Sequence, residues 1–115
     1  MVGDYFELSV VKEYLEIRST DTVDDDLLNQ LGASANKSMD NFLVTFTLNT
    51  PRVAASLTED IKDAVNFKVI SKYKAIKEDF EGSKYWNELA EEMKESIKDG
   101  ISRKVKGRRY VVDRL

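Results

Sequence analysis

The chain has 115 residues, 42% of them hydrophobic and 34% charged, with a net charge of −3, which fits one folded domain with a modest core. It contains no Cys and no His, so thiolate nucleophiles, disulfides, Cys/His zinc sites and His-dependent triads are excluded. No stretch has the length and apolarity of a membrane span, and the N-terminus lacks a signal peptide's charged-then-apolar pattern. The expectation is synthesis in the cytosol and no membrane partner.

A first helix is predicted over residues 8–17, with Leu8, Val11 and Leu15 on one face and Val10, Tyr14 and Ile17 widening it. Ser19, Thr20, Asp21 and Thr22 then read as a loop. Asp24, Asp25 and Asp26 open a second helix, where acidic side chains suit the positive end of the helix dipole. A calcium loop would space its ligands at alternate positions around a Gly turn; three consecutive acids running into Leu27 and Leu28 are a helix start. That helix continues through Leu31, Ala35, Met39, Phe42, Leu43 and Phe46 in steps of three and four. Gly32, Ala33, Ser34 and Ala35 form a run of small residues that lets a neighbouring helix approach closely, at about 1 kcal/mol in propensity for Gly32. Residues 43–48 fit either the end of this helix or an extended piece, and Pro51 stops it.

The best-marked start is Ser56-Leu57-Thr58-Glu59, a capping box in which Ser and Glu satisfy backbone donors reciprocally. Behind it Ile61, Val65, Val69, Tyr73, Ile76 and Phe80 form one stripe. Phe67 and Ile70 lie off the stripe. They are either central to the domain or a possible subunit interface. Lys68, Lys72, Lys74 and Lys77 read as a solvated edge. Gly82 and Ser83 are taken as the break before a last helix, whose Trp86, Leu89, Ala90, Met93, Ile97 and Ile101 share a face. Glu88, Glu91, Glu92, Lys94, Glu95, Lys98 and Asp99 cover the rest. Trp86 and Tyr85 read as core anchors, and Val65, Val69, Tyr73, Leu89 and Met93 are expected to be largely buried. The fold class is therefore all-α, a small bundle of about four helices with a basic, partly extended C-terminal tail.

The charge is not evenly spread. Residues 101–115 carry Arg103, Lys104, Lys106, Arg108, Arg109 and Arg114 against the single Asp113, a net +5, whereas the first hundred hold 12 Lys/Arg against 20 Asp/Glu, a net −8. An acidic body with a basic tail attracts its own copies, or any other acidic surface. The chain thus divides into residues 1–102, a helical domain, and residues 103–115, an assembly tail. Gly100 loosens the junction. Within the tail, Arg109, Tyr110, Val111 and Val112 have strand propensity and no local partner, which a second molecule would supply. The candidate partner-binding residues are Arg103, Lys104, Lys106, Arg108, Arg109, Tyr110, Val111, Val112 and Arg114. Lys106-Gly107-Arg108 also invites phosphate. However, no helix presents a base-reading face, the body repels a phosphate backbone, and the glycines are scattered singly with no phosphate loop. No catalytic residue, metal or cofactor is expected.

The order of these features resembles the head–tail connector, or head-completion adaptor, family of tailed viruses. The matching pieces are Tyr14-Leu15-Glu16-Ile17 before a polar loop, and Asp24-Asp25-Asp26-Leu27-Leu28 opening a helix with small residues in its middle. Pro51 then precedes Ile61-Lys62-Asp63-Ala64-Val65 and the aromatic-rich stretch from Tyr73 to Phe80. The likeness covers most of residues 8–80 and, more loosely, the last helix and tail; the well-formed, charged helix 85–101 departs from the usual layout. The resemblance implies a non-enzymatic virion protein at the head–tail junction, present in the host cytoplasm during assembly. It implies a homo-oligomeric ring beneath the portal that extends the DNA channel and meets a tail or stopper protein. DNA would pass without sequence-specific binding, and the tail would reach the portal or a neighbouring subunit. The alternative from the residues alone is a small cellular helical domain using its basic tail on nucleic acid or an acidic protein.

Overall fold

The computed structural model describes residues 5–47 and 58–114, with side chains for 5–44 and 59–99. Its elements are α1 (Leu8–Tyr14), α2 (Asp25–Thr47), α3 (Thr58–Ile76) and α4 (Phe80–Arg114). The bundle is all-α, as the periodicity predicts. Ser56 and Pro51, and with them the capping box and the helix stop, lie outside the described residues, as does Leu48. The stretch left open at 43–48 is helical through Thr47, with Leu43 in the core.

Two helices end earlier than their apolar stripes suggest, and for one reason. After α1, Glu16 takes a left-handed φ of 59°, Glu16 N donates to Glu13 O (3.1 Å) and Ile17 N to Lys12 O (2.8 Å). After α3 the pattern repeats: Glu78 has φ 64°, its N donates to Ala75 O (3.1 Å) and Asp79 N to Lys74 O (2.8 Å). Both are Schellman closures, with Glu at the position where Gly is usual. A left-handed Glu costs about 1 kcal/mol or more, and the six-residue closure satisfies the orphan carbonyls. The first closure carries Ile17 back onto the core.

The second closure corrects the reading of Gly82. The break lies at residues 77–79, and Asp79 caps the next helix, accepting from Gly82 N at 3.0 Å. Gly82 is therefore in the first turn of α4. Ile76 and Phe80, expected on the core stripe, are 52% and 68% exposed because the chain reverses between them.

The tight α3–α4 turn sets these two helices antiparallel, and their packing is the main contact of the bundle. Ser71 Oγ donates to Ser83 O across it at 2.7 Å, and Lys68 bonds Asn87. The core is built from Val11, Leu28, Ala35, Met39, Leu43, Ile61, Ala64, Val65, Val69, Ile70 and Ile97. Leu89 is only half-buried, while Ala90 and Ile97 are fully enclosed. The side of α4 facing α3 is centred on Ala90, which pushes Leu89 to the rim. Tyr73 and Met93 are likewise half-buried against the core.

Residues 5–7 form no helix, yet they are tightly held. Asn36, itself buried, accepts from Tyr5 N (3.1 Å) and Phe6 N (2.9 Å) through one amide oxygen. Buried Asn66 accepts from Glu7 N at 3.0 Å, and Tyr5 OH donates to Asp40 at 2.8 Å. The Phe6 ring lies on Gly32. The small-residue run therefore admits an aromatic ring from the N-terminal segment where a helix was expected, and Ala33 and Ser34 stay exposed.

Candidate assembly surfaces

The basic tail is a continuation of α4. The helix passes Gly100, residue 102 and Gly107 without a break and ends at Arg114, so the backbone of 109–112, expected to be strand-like, is helical. An established helix adds one hydrogen bond for each residue it fixes, and this outweighs about 1 kcal/mol at each glycine. The side chains of Arg103, Lys104, Lys106, Arg108, Arg109, Tyr110, Val111, Val112 and Arg114 lie outside the described residues. With 35 residues against 19, α4 outruns its antiparallel partner α3 by roughly 24 Å at 1.5 Å per residue.

Of Phe67 and Ile70, candidates above for a subunit interface, Phe67 is half-buried and Ile70 is enclosed by its own chain. Ile70 has no exposed surface, and the second apolar side of α3 is explained by its central position. Phe67 joins a cluster that periodicity could not assemble. Its ring centroid lies 5.8 Å from Tyr14, edge-on, and 5.5 Å from Trp86. Tyr14 meets Trp86 at 5.4 Å, and Tyr85 meets Trp86 edge-on at 5.5 Å. Edge-to-face pairs of this kind contribute about 0.5–1.5 kcal/mol beyond their buried area. Trp86 is the inner ring, as its reading as an anchor requires. Tyr85, read the same way, is 58% exposed, and Tyr14 is 49% exposed. The outer edge of this cluster is an aromatic patch open to solvent.

Along α4, that patch continues into a row of carboxylates. Glu81, Tyr85, Glu88, Glu92, Glu95 and Asp99 are all exposed and recur at the three- and four-residue steps of one helix side, opposite Ala90 and Ile97. Glu91, one step round the helix, pairs with Lys68 at 3.6 Å.

The acids that open α2 do separate jobs. Asp24 accepts from Tyr73 OH and pairs with Lys77 at 3.4 Å, joining α2 to α3. The Tyr73 hydroxyl first, and Lys77 second, hold its carboxyl below the usual range; burial, with Asp24 beside it, pushes the Tyr73 phenol up to about 12. Asp25 faces the other way and pairs with buried Lys12 at 2.9 Å. The same ammonium donates to Ser19 O (3.3 Å) and Asp21 O (2.6 Å). Lys12 thus closes the loop between α1 and α2 beside a groove of about 410 Å³ lined in part by Leu8, Glu13 and Ile17. Nothing in the sequence marks Lys12, a lone cation on an amphipathic helix. Among the described residues, no helix is long and apolar enough to cross a membrane.

Against known proteins, the sequence model of a family described as "phage gp6-like head-tail connector protein" matches residues 5–109. The match takes in α1, α2 and α3 entirely and α4 as far as Arg109. No curated protein and no solved structure matches the chain.

Proposed function

Since this chain belongs to the phage gp6-like head–tail connector family and is a structural component of the phage virion, we propose that it forms a homo-oligomeric ring beneath the portal. There it extends the DNA channel and offers a platform to a tail or stopper protein. The family match over residues 5–109 carries this reading.

Two features of the chain support it. The −8 charge of the first hundred residues gives a ring whose wall repels DNA phosphates, so DNA passes without adhering. The +5 terminal stretch rides on a helix that runs well past the bundle, where it can reach another molecule. Its role is assembly, on the portal or on the next subunit, and the body needs no catalytic group for this work.

The test is to image the purified protein with and without portal, and to repeat it after deleting residues 103–115. The expected result is rings on the portal with the full chain, and a folded, monomeric protein that no longer joins the portal after deletion. A deleted protein that still assembles would show the tail to be dispensable. One that unfolds would make it part of the core.

A further inference from the structure

Resting on that reading, we infer that the exposed aromatic patch of Tyr14 and Tyr85 at the edge of Trp86, with the carboxylates Glu88 and Glu92 beside it on α4, receives the terminal α4 segment, residues 103–114, of a second copy of this chain.

The patch asks for an occupant. Tyr14 and Tyr85 stand about half exposed around the edge of Trp86, each ring already oriented by an edge-on neighbour. Fixed aromatic rings with a polar tip are the side chains from which binding surfaces are built, because little rotamer freedom remains to be lost on contact. The flanking Glu88 and Glu92 select a cationic partner. Residues 103–114 supply both halves of the match, with Arg103, Lys106 and Arg114 as the cations and Tyr110 as the apolar ring among them. Their spacing fits as well: Arg103, Lys106, Tyr110 and Arg114 follow steps of three and four, as do Tyr85, Glu88, Glu92 and Glu95. The lengths agree, roughly 17 Å for the segment and 15 Å for the row at 1.5 Å per residue.

The helix geometry then fixes which copy can bind. Patch and segment belong to one continuous helix, Phe80–Arg114, so residue 110 stands roughly 33 Å along the axis from residue 88. A continuous helix cannot fold back on its own flank. Docking is therefore between molecules and joins two different surfaces. Such a head-to-tail contact propagates, and it closes into a ring when the rotation per subunit allows.

Trp86 is the single Trp of the chain, so its emission reports on the patch directly. A synthetic peptide of residues 103–115 is titrated into the full-length protein. The expected result is a saturable change in Trp86 emission whose midpoint weakens about tenfold in high salt. Tyr85→Ala with Glu88→Lys and Glu92→Lys should weaken binding by about tenfold or more. Circular dichroism checks that this variant stays folded, as its three exposed positions predict. A peptide with Glu at positions 103 and 106 should fail on the native protein and bind the Glu88→Lys, Glu92→Lys protein. No saturable Trp86 response, or binding indifferent to these charge reversals, would overturn the inference. Portal binding by the full chain is measured in parallel. If it persists while the peptide fails, the docking surface is wrong and the ring reading stands; if portal binding is absent as well, the ring reading falls with it.

Discussion

Gly32→Ala should destabilise the protein, although alanine is the better helix former. Gly32 is buried in α2, and a Cβ built there would lie 2.3, 2.4 and 2.7 Å from Cδ2, Cγ and Cε2 of Phe6. Ordinary carbon contacts are about 3.5–4.0 Å, so the ring must retreat by more than 1 Å. The clash includes the root of the ring, and the backbone behind it is pinned by two hydrogen bonds to Asn36 at 3.1 and 2.9 Å. Overpacking of this kind costs about 1–3 kcal/mol, against about 1 kcal/mol gained from helix propensity. The net is a loss of up to about 2 kcal/mol. The decisive measurement is a double-mutant cycle with Phe6→Ala, followed by urea unfolding and far-UV circular dichroism. Without the ring, Gly32→Ala should become stabilising by about 1 kcal/mol, giving a coupling of about 1–3 kcal/mol. If Gly32→Ala stabilises equally in both backgrounds, Phe6 does not rest on Gly32 and the account of the N-terminal segment is wrong.

Ile97→Ala should cost about 2–5 kcal/mol in urea unfolding, because Ile97 is wholly enclosed, while Leu89→Ala should cost distinctly less; equal losses would contradict the packing of α4. Asn36→Ala leaves the N–H groups of Tyr5 and Phe6 without their acceptor and should cost about 1–3 kcal/mol. Amide exchange at those two residues should accelerate selectively, and unchanged exchange would remove Asn36 from its anchoring role. Alkali should weaken the fold through two phenols. Tyr5 and Tyr73 are both raised from 10.0 to about 12, by burial first and by Asp40 or Asp24 second. The folded chain therefore keeps protons that the unfolded chain gives up near pH 10. The stabilisation is complete below pH 10 and declines as pH rises toward 12. Tyr73→Phe should make the decline of the urea midpoint shallower, and an unaltered slope would deny the Tyr73–Asp24 contact.

Part of this architecture could be read from local pattern. Steps of three and four mark α2 and α3 because an amphipathic stripe needs no distant information. Asp24 to Asp26 mark a helix start through the dipole, although the jobs of Asp24 and Asp25 are set by Tyr73, Lys77 and Lys12. The ends of α1 and α3 were not legible. A Schellman closure announces itself by Gly, and here Glu16 and Glu78 occupy its left-handed position. The aromatic patch escaped for another reason: Tyr14, Phe67 and Trp86 come from three helices, and their meeting is a product of packing angles.

By itself the sequence determined the helical class, the separation of an acidic body from a basic terminus, and the order of residue types that resembles the connector family. These depend on composition and on neighbours within one or two turns, where backbone geometry is the same whatever the rest of the chain does. Tertiary structure alone decided which apolar side chains turn inward. Ile70 is enclosed and Leu89 half open because α3 is the central helix and Ala90 faces it. It also decided that residues 5–7 belong to the fold, since the amides that hold them, Asn36 and Asn66, lie 30 to 59 residues away. The basic terminus follows the same rule. Its charge is plain from composition, but only the unbroken α4, 35 residues against 19, carries its backbone past the antiparallel partner α3.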